Sequence, residues 1–127
     1  MNKTSRASLI FFAVILLDQG LKYLIVRYFP QYVVLNKNGM WGLLPPWISL
    51  IGIVGIIFFI VRGNHISCAL VGIIAAGFSN IADRIFRGGV VDYIHAGAFP
   101  VFNLADTIIT LGVLLEIKNE LMRESHD

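Results

Sequence analysis

The chain has 127 residues, of which 57% are hydrophobic and only 14% charged, with a mean hydropathy of +0.76 and a formal net charge of +2. That composition excludes an ordinary soluble domain and points to an integral membrane protein, with room for about four spans of about 20 residues in one domain over residues 1–127. Scattered lysines and arginines exclude a nucleic-acid surface and leave only a modest attraction to anionic lipid headgroups, and a lone cysteine, Cys68, excludes an internal disulfide.

Four apolar stretches, about 7–29, 47–62, 66–86 and 102–119, are expected to form transmembrane helices, with breaks at Pro30, Pro45-Pro46, Gly63-Asn64, Gly88-Gly89 and Pro100. The first begins like a signal peptide, with Lys3 and Arg6 ahead of the run Ala7 to Leu17, but no small-x-small cleavage site follows, so it is expected to stay as an anchor. In the first loop Asn36 and Asn38 precede Gly39, a pattern that ordinarily means a turn. Cys68, inside the third stretch, is expected to pack in the core. His65 and His126 read as solvated loop and tail residues, and His95 as a rim residue rather than a metal ligand. The charged tail from Glu116 to Asp127 reads as a solvated helix end.

The uncharged runs Ala7 to Leu17, Ile66 to Ser79 and Thr107 to Leu115 are too short to cross a hydrocarbon core of about 30 Å. They reach full length only by including polar residues: Asp18, Gln19 and Lys22 late in the first helix, Asn80, Asp83 and Arg84 late in the third, Asn103 and Asp106 early in the fourth. Alternating spans bring all of these ends to one side of the bilayer, where a single polar cluster is expected. Flanking cations weakly favour both termini inside, which opens the cluster toward the outer face. Asp18 and Lys22 are four apart, as are Asn80 and Arg84, so each pair shares a helix face and can hydrogen-bond; Asp83 reads as the partner of adjacent Arg84.

Asp92 and Asp106 stand at the same membrane edge. Paired carboxylates can divide labour, one as general base on a water and one as general acid toward a carbonyl or leaving amine, with no metal and no cofactor. An aspartate at a helix start is also a common cap, and two acids in a membrane can form an ion or proton path. On the residues alone a protease and a small proton- or ion-coupled transporter subunit stand level.

Four strings tip that balance: Asp18-Gln19-Gly20-Leu21-Lys22, Asn80-Ile81-Ala82-Asp83-Arg84, Val90-Val91-Asp92-Tyr93 and Phe102-Asn103-Leu104-Ala105-Asp106. In this order they resemble the DQxxK, NxxDR, VVDF/Y and FNxAD elements of the lipoprotein signal peptidase family, also called signal peptidase II, over nearly the whole chain. The resemblance implies an aspartyl endopeptidase of the bacterial inner membrane that cleaves diacylglyceryl-modified prolipoproteins just before the lipidated cysteine. It implies Asp92 and Asp106 as the catalytic dyad, Asn36, Asn80, Arg84 and Asn103 as substrate-positioning residues, and Asp18 with Lys22 as a supporting polar pair. The implied fold is an all-α four-transmembrane-helix bundle with both termini cytoplasmic, a small extracytoplasmic β-like cradle from Tyr32 to Leu44, and a short periplasmic loop near the active site. The partners are then the prolipoprotein and membrane lipids, and a monomer is expected. The first loop departs from the family's usual N-x-G-A-A-F-G, reading Asn36-Lys37-Asn38-Gly39-Met40-Trp41-Gly42, and little loop remains around Ala96 to Phe99 to cover the site.

Overall fold

The structure, a computed structural model, describes residues 2–39, 45, 52, 54–55 and 66–124. Helix α1 spans Lys3–Tyr28, opened by Asn2, whose side chain accepts the Ser5 N–H at 2.7 Å. It stops one residue short of Pro30, which has no N–H to continue the ladder and instead starts a single 3-10 turn, Pro30–Tyr32. The chain then extends into β1, Val34–Asn36. Helix α2, Cys68–Arg87, is capped by Ser67, whose hydroxyl accepts the Leu70 N–H at 2.9 Å and donates to Glu116. It ends at Gly88 in the left-handed region, φ 74°. Strand β2, Val90–Asp92, follows at once, and helix α3 runs from Leu104 to Glu124. The expected stretches 7–29, 66–86 and 102–119 correspond to these three helices within a few residues at each end; the expected span 47–62 lies outside the described residues apart from isolated positions.

The two short strands pair antiparallel, with Val34 opposite Asp92, Leu35 opposite Val91 and Asn36 opposite Val90. Gly89 permits that pairing. A Cβ there would sit 2.9 Å from Leu35 Cγ and 3.1 Å from the Asn36 carbonyl oxygen, closer than side chains approach in folded proteins.

Helix α2 packs against both α1 and α3, which barely touch each other. Its inner face, Leu70, Val71, Ile73, Ala75 and Ala76, forms the apolar core with Val90, Val91 and Ala105. Gly112 on α3 lets Ile73 in, since an added Cβ would fall 2.6 Å from Ile73 Cγ1. Helix α1 is built the other way round: its buried residues are Asp18 and Lys22, while Leu9, Phe12, Leu16 and Leu17 are 59–71% exposed. Charges inside and leucines outside suit a helix surrounded by lipid rather than water. Helices α1 and α2 are each long and apolar enough to cross a membrane. Cys68 does not pack in the core as expected; it is the first residue of α2 and is exposed, because the inward-facing stripe of that helix begins at Leu70.

Candidate active site

The site is organised by the first turn of α3. After Asp92 the chain folds into a tight hairpin: the N–H groups of Tyr93 and Ile94 donate to the Phe102 carbonyl at 3.0 and 2.8 Å, and the Phe102 N–H returns to Ile94 at 3.2 Å. Gly97, at φ +58°, makes the reversal possible, and the hairpin sets Asn103 beside Asp92. A helix start leaves four N–H groups without intrahelical partners, and here each finds one. Leu104 donates to the Tyr93 hydroxyl (3.3 Å), Ala105 to Asp18 Oδ1 (2.9 Å) and Asp106 to Asn103 Oδ1 (2.9 Å), the fourth being the N–H of the cap residue Asn103, while the Thr107 bond to the Asn103 carbonyl (3.2 Å) is the first rung of the helix itself. Asp106 returns the favour, its Oδ2 accepting the Asn103 N–H at 3.3 Å, the reciprocal arrangement of a capping box. The Tyr93 phenol is pushed up to about 12, burial first, and so stays neutral while it accepts from α3.

The two acids meet on Asn103. Its Nδ2 donates to Asp92 Oδ1 at 2.7 Å, and its backbone N–H to Asp106 Oδ2. Asn36, carried in by the strand pairing, donates to the other oxygen of Asp92 at 2.9 Å, and Asn80 on α2 donates to Asp106 Oδ1 at 3.0 Å. Asp92 is 1% exposed, Asp106 6% and Asn103 fully buried. Burial pushes Asp92 above the usual carboxylate range, while the bonds from Asn36 and Asn103 and the charges of Lys22 and Arg84 pull it back. Beside Asp106 lies an open, largely apolar groove of about 190 Å³ lined by Phe99, Phe102, Thr107, Thr110 and Leu111. Asn36 is also a turn residue, its Oδ1 accepting the Asn38 N–H at 2.9 Å.

Behind the acids sits a buried ionic cluster. Lys22 Nζ lies 2.7 Å from Asp18 Oδ2, 2.7 Å from Asp83 Oδ2 and 2.9 Å from Asn80 Oδ1. Asp83 pairs with Lys22 and Arg87, not with Arg84. Neighbours in sequence point about 100° apart on a helix, whereas Arg87, four residues on, shares the Asp83 face. The Asn80 and Arg84 side chains do not bond each other either: Arg84 reaches only the Asn80 carbonyl, at 3.5 Å, and donates to the Asn38 carbonyl at 3.0 Å. Its buried Nε–H has no acceptor among the described residues. His95 stands exposed at the edge, its Nε2 2.8 Å from the Tyr32 carbonyl.

A sequence model described as signal peptidase (SPase) II matches residues 10–122. The chain belongs to that family. Membership makes it an aspartic-type peptidase of the bacterial membrane. Among relatives called lipoprotein signal peptidase, that of Geobacillus kaustophilus is 35% identical, covering 81% of this chain and 84% of its own. The protein of the same name from Helicobacter pylori is 33% identical, covering 89% and 88%. A bacterial membrane enzyme solved in meso at 2.3 Å superposes with a TM-score of 0.74 at 26% identity, covering 95% of this chain and 90% of the other.

Four members of this buried cluster escape the sequence reading in their roles. Ser79 donates to Asp18 Oδ2 at 2.6 Å, Gln19 donates to Ser79 Oγ and Asp83 at 2.9 Å each, Arg87 completes the ionic cluster, and Tyr93 caps α3. Only the Asp83–Arg87 spacing of four was a signal that could have been used.

Proposed function

We propose that Asp92 and Asp106 are the catalytic pair of a peptidase that removes the signal peptide from diacylglyceryl-modified prolipoproteins, cutting just before the lipidated cysteine. The observation that carries this reading is that both carboxyls are buried on one asparagine, with amide donors to each and, among the described residues, no cation bonded to either. Two acids so close do not both ionise cheaply, so one proton is shared and the pair titrates as a unit. The ionised member takes a proton from water as the water oxygen attacks the scissile carbonyl carbon. The protonated member gives its proton to the carbonyl oxygen, and collapse of the resulting diol sends a proton to the departing amine nitrogen.

Asn36, Asn80 and Asn103 hold the acids in place for the substrate, with Asp18 and Lys22 behind them. Arg84, with a spare Nε–H, suits a peptide carbonyl of the substrate. The apolar lining of the groove beside Asp106 suits an approach of the substrate from lipid. The reading extends to the whole chain as one membrane domain, 1–127, of four spans. Both termini lie in the cytoplasm, the β1–β2 pair is part of a cradle, and the site lies near the periplasmic face. The protein works as a monomer among membrane lipids, without metal or cofactor.

The test is reconstitution of the pure protein with a diacylglyceryl-modified precursor in the presence of a chelator. Release of the signal peptide that survives chelation is expected. A folded, inserted protein that leaves the precursor intact would remove the reading and favour a transporter.

A further inference from the structure

The three asparagines around the acids share a requirement. A carboxamide has an acceptor on one side and donors on the other, and a neighbour that can only donate or only accept fixes which way it faces, whereas a carboxyl of a proton-sharing pair, able to do either, does not. At Asn36 that neighbour is the Asn38 N–H, and at Asn103 it is the Asp106 N–H. Asn80 lies inside α2, where the backbone N–H groups are engaged in the helix ladder. Its Oδ1 is held instead by the ammonium of Lys22 at 2.9 Å, and its Nδ2 is thereby aimed at Asp106 Oδ1.

We infer that Lys22 is a positioning residue for Asp106, acting through the Asn80 amide. The inference rests on the reading of Asp92 and Asp106 as the reacting acids. An ammonium has three donors, and a purely structural Lys22 needs only two, for Asp18 and Asp83. The third is spent on a neutral oxygen one amide away from Asp106, in a place closed to solvent. Asn103 Nδ2 reaches the same oxygen at 3.2 Å, but that is the longer bond and comes from a neutral donor, whereas the bond from Lys22 is charge-assisted. With the ammonium gone, Asn80 is free to turn its oxygen toward Asp106 and set acceptor against acceptor. Among the described residues, the other charges near this chain of contacts are Asp18, Asp83, Arg84, Arg87 and Asp92.

The experiment is a double-mutant cycle on the full chain, with Lys22→Met, Asn80→Ala and the two together, read as kcat, KM and the pH–rate profile. Wild-type cleavage in the same preparation comes first, and its failure refutes the functional reading rather than this one. Lys22→Met is expected to lower kcat about tenfold or more at little change in KM, and to move the pH–rate profile in the same direction as Asn80→Ala. On top of Asn80→Ala it is expected to change kcat by less than about twofold, the mark of residues acting as one unit. Effects that multiply, or a Lys22→Met profile superimposed on the wild type, overturn the inference. If Lys22→Met does not fold, the charge-balanced pair Asp18→Asn/Lys22→Met, which leaves Asp83 with Arg87, is read by the same criteria. Failure of both to fold assigns Lys22 to structure alone and also overturns it.

Discussion

Asn36 shows how much a single amide controls at the residue scale. Its bond favours the ionised form of Asp92, against burial, which favours the neutral one. Asn36→Ala therefore moves Asp92 further up, and the limb of the pH–rate profile that reports it shifts to higher pH. A hydrogen bond to a charged group contributes about 1.5–3 kcal/mol, so kcat/KM is expected to fall about tenfold or more; a shift to lower pH would contradict the assignment. Asp83 belongs to the fold rather than the chemistry, since it answers Lys22, Arg87, Gln19 and the Val91 N–H at once. Asp83→Ala leaves the buried Lys22 ammonium short of a partner and is expected to lower stability by about 3–5 kcal/mol, checked by unfolding in detergent. The residues of the buried polar cluster were legible at this scale because a charged or amide side chain in an apolar run is conspicuous. Their pairings were less so: adjacency suggested Asp83 with Arg84, where helix geometry selects Arg87.

Two glycines set the approach between elements. Gly89→Ala would drive a methyl into Leu35 and the Asn36 carbonyl, prise β1 from β2 and withdraw Asn36 from Asp92. Strong loss of cleavage with unchanged helical circular dichroism is expected; wild-type turnover would show that the strand pair does not position the site. The three described helices were readable from apolar runs and punctuating Gly and Pro, to within a few residues at the ends. Strands of three residues offer no alternation to read, and Asn36 and Asp92, 56 positions apart, meet only through them. Asn36 entered the sequence reading of the site solely through the family resemblance, as a substrate-positioning residue, and its contact with Asp92 did not enter it. The α3 cap was half visible: Asn103 and Asp106 stand three apart, as a capping box requires, but Asp18 and Tyr93 reach the same turn from elsewhere in the chain.

On the scale of the whole molecule the governing fact is that lipid reverses the usual sorting of residues. Leucines and phenylalanines of α1 face outward and its buried contribution is a charge pair, so the polar cluster is what the helices assemble around at one end. Span length carried this in the sequence: three of the four expected spans were too short without their polar ends, and alternation was expected to put those ends together. Which face of the membrane they occupy follows from the proposed orientation. With Cys68→Ser as background, Lys37→Cys should react with an impermeant thiol reagent added outside intact cells, and Glu120→Cys only after permeabilisation. The reverse pattern would invert the topology.

The most direct trial of the account is cleavage of a diacylglyceryl-modified precursor by purified Asp92→Asn and Asp106→Asn, each compared with the wild type for unfolding midpoint. Both variants are expected to insert and fold yet release no signal peptide, because neither an amide at 92 nor one at 106 can share the proton. Turnover at the wild-type rate by either one would contradict the paired-acid mechanism.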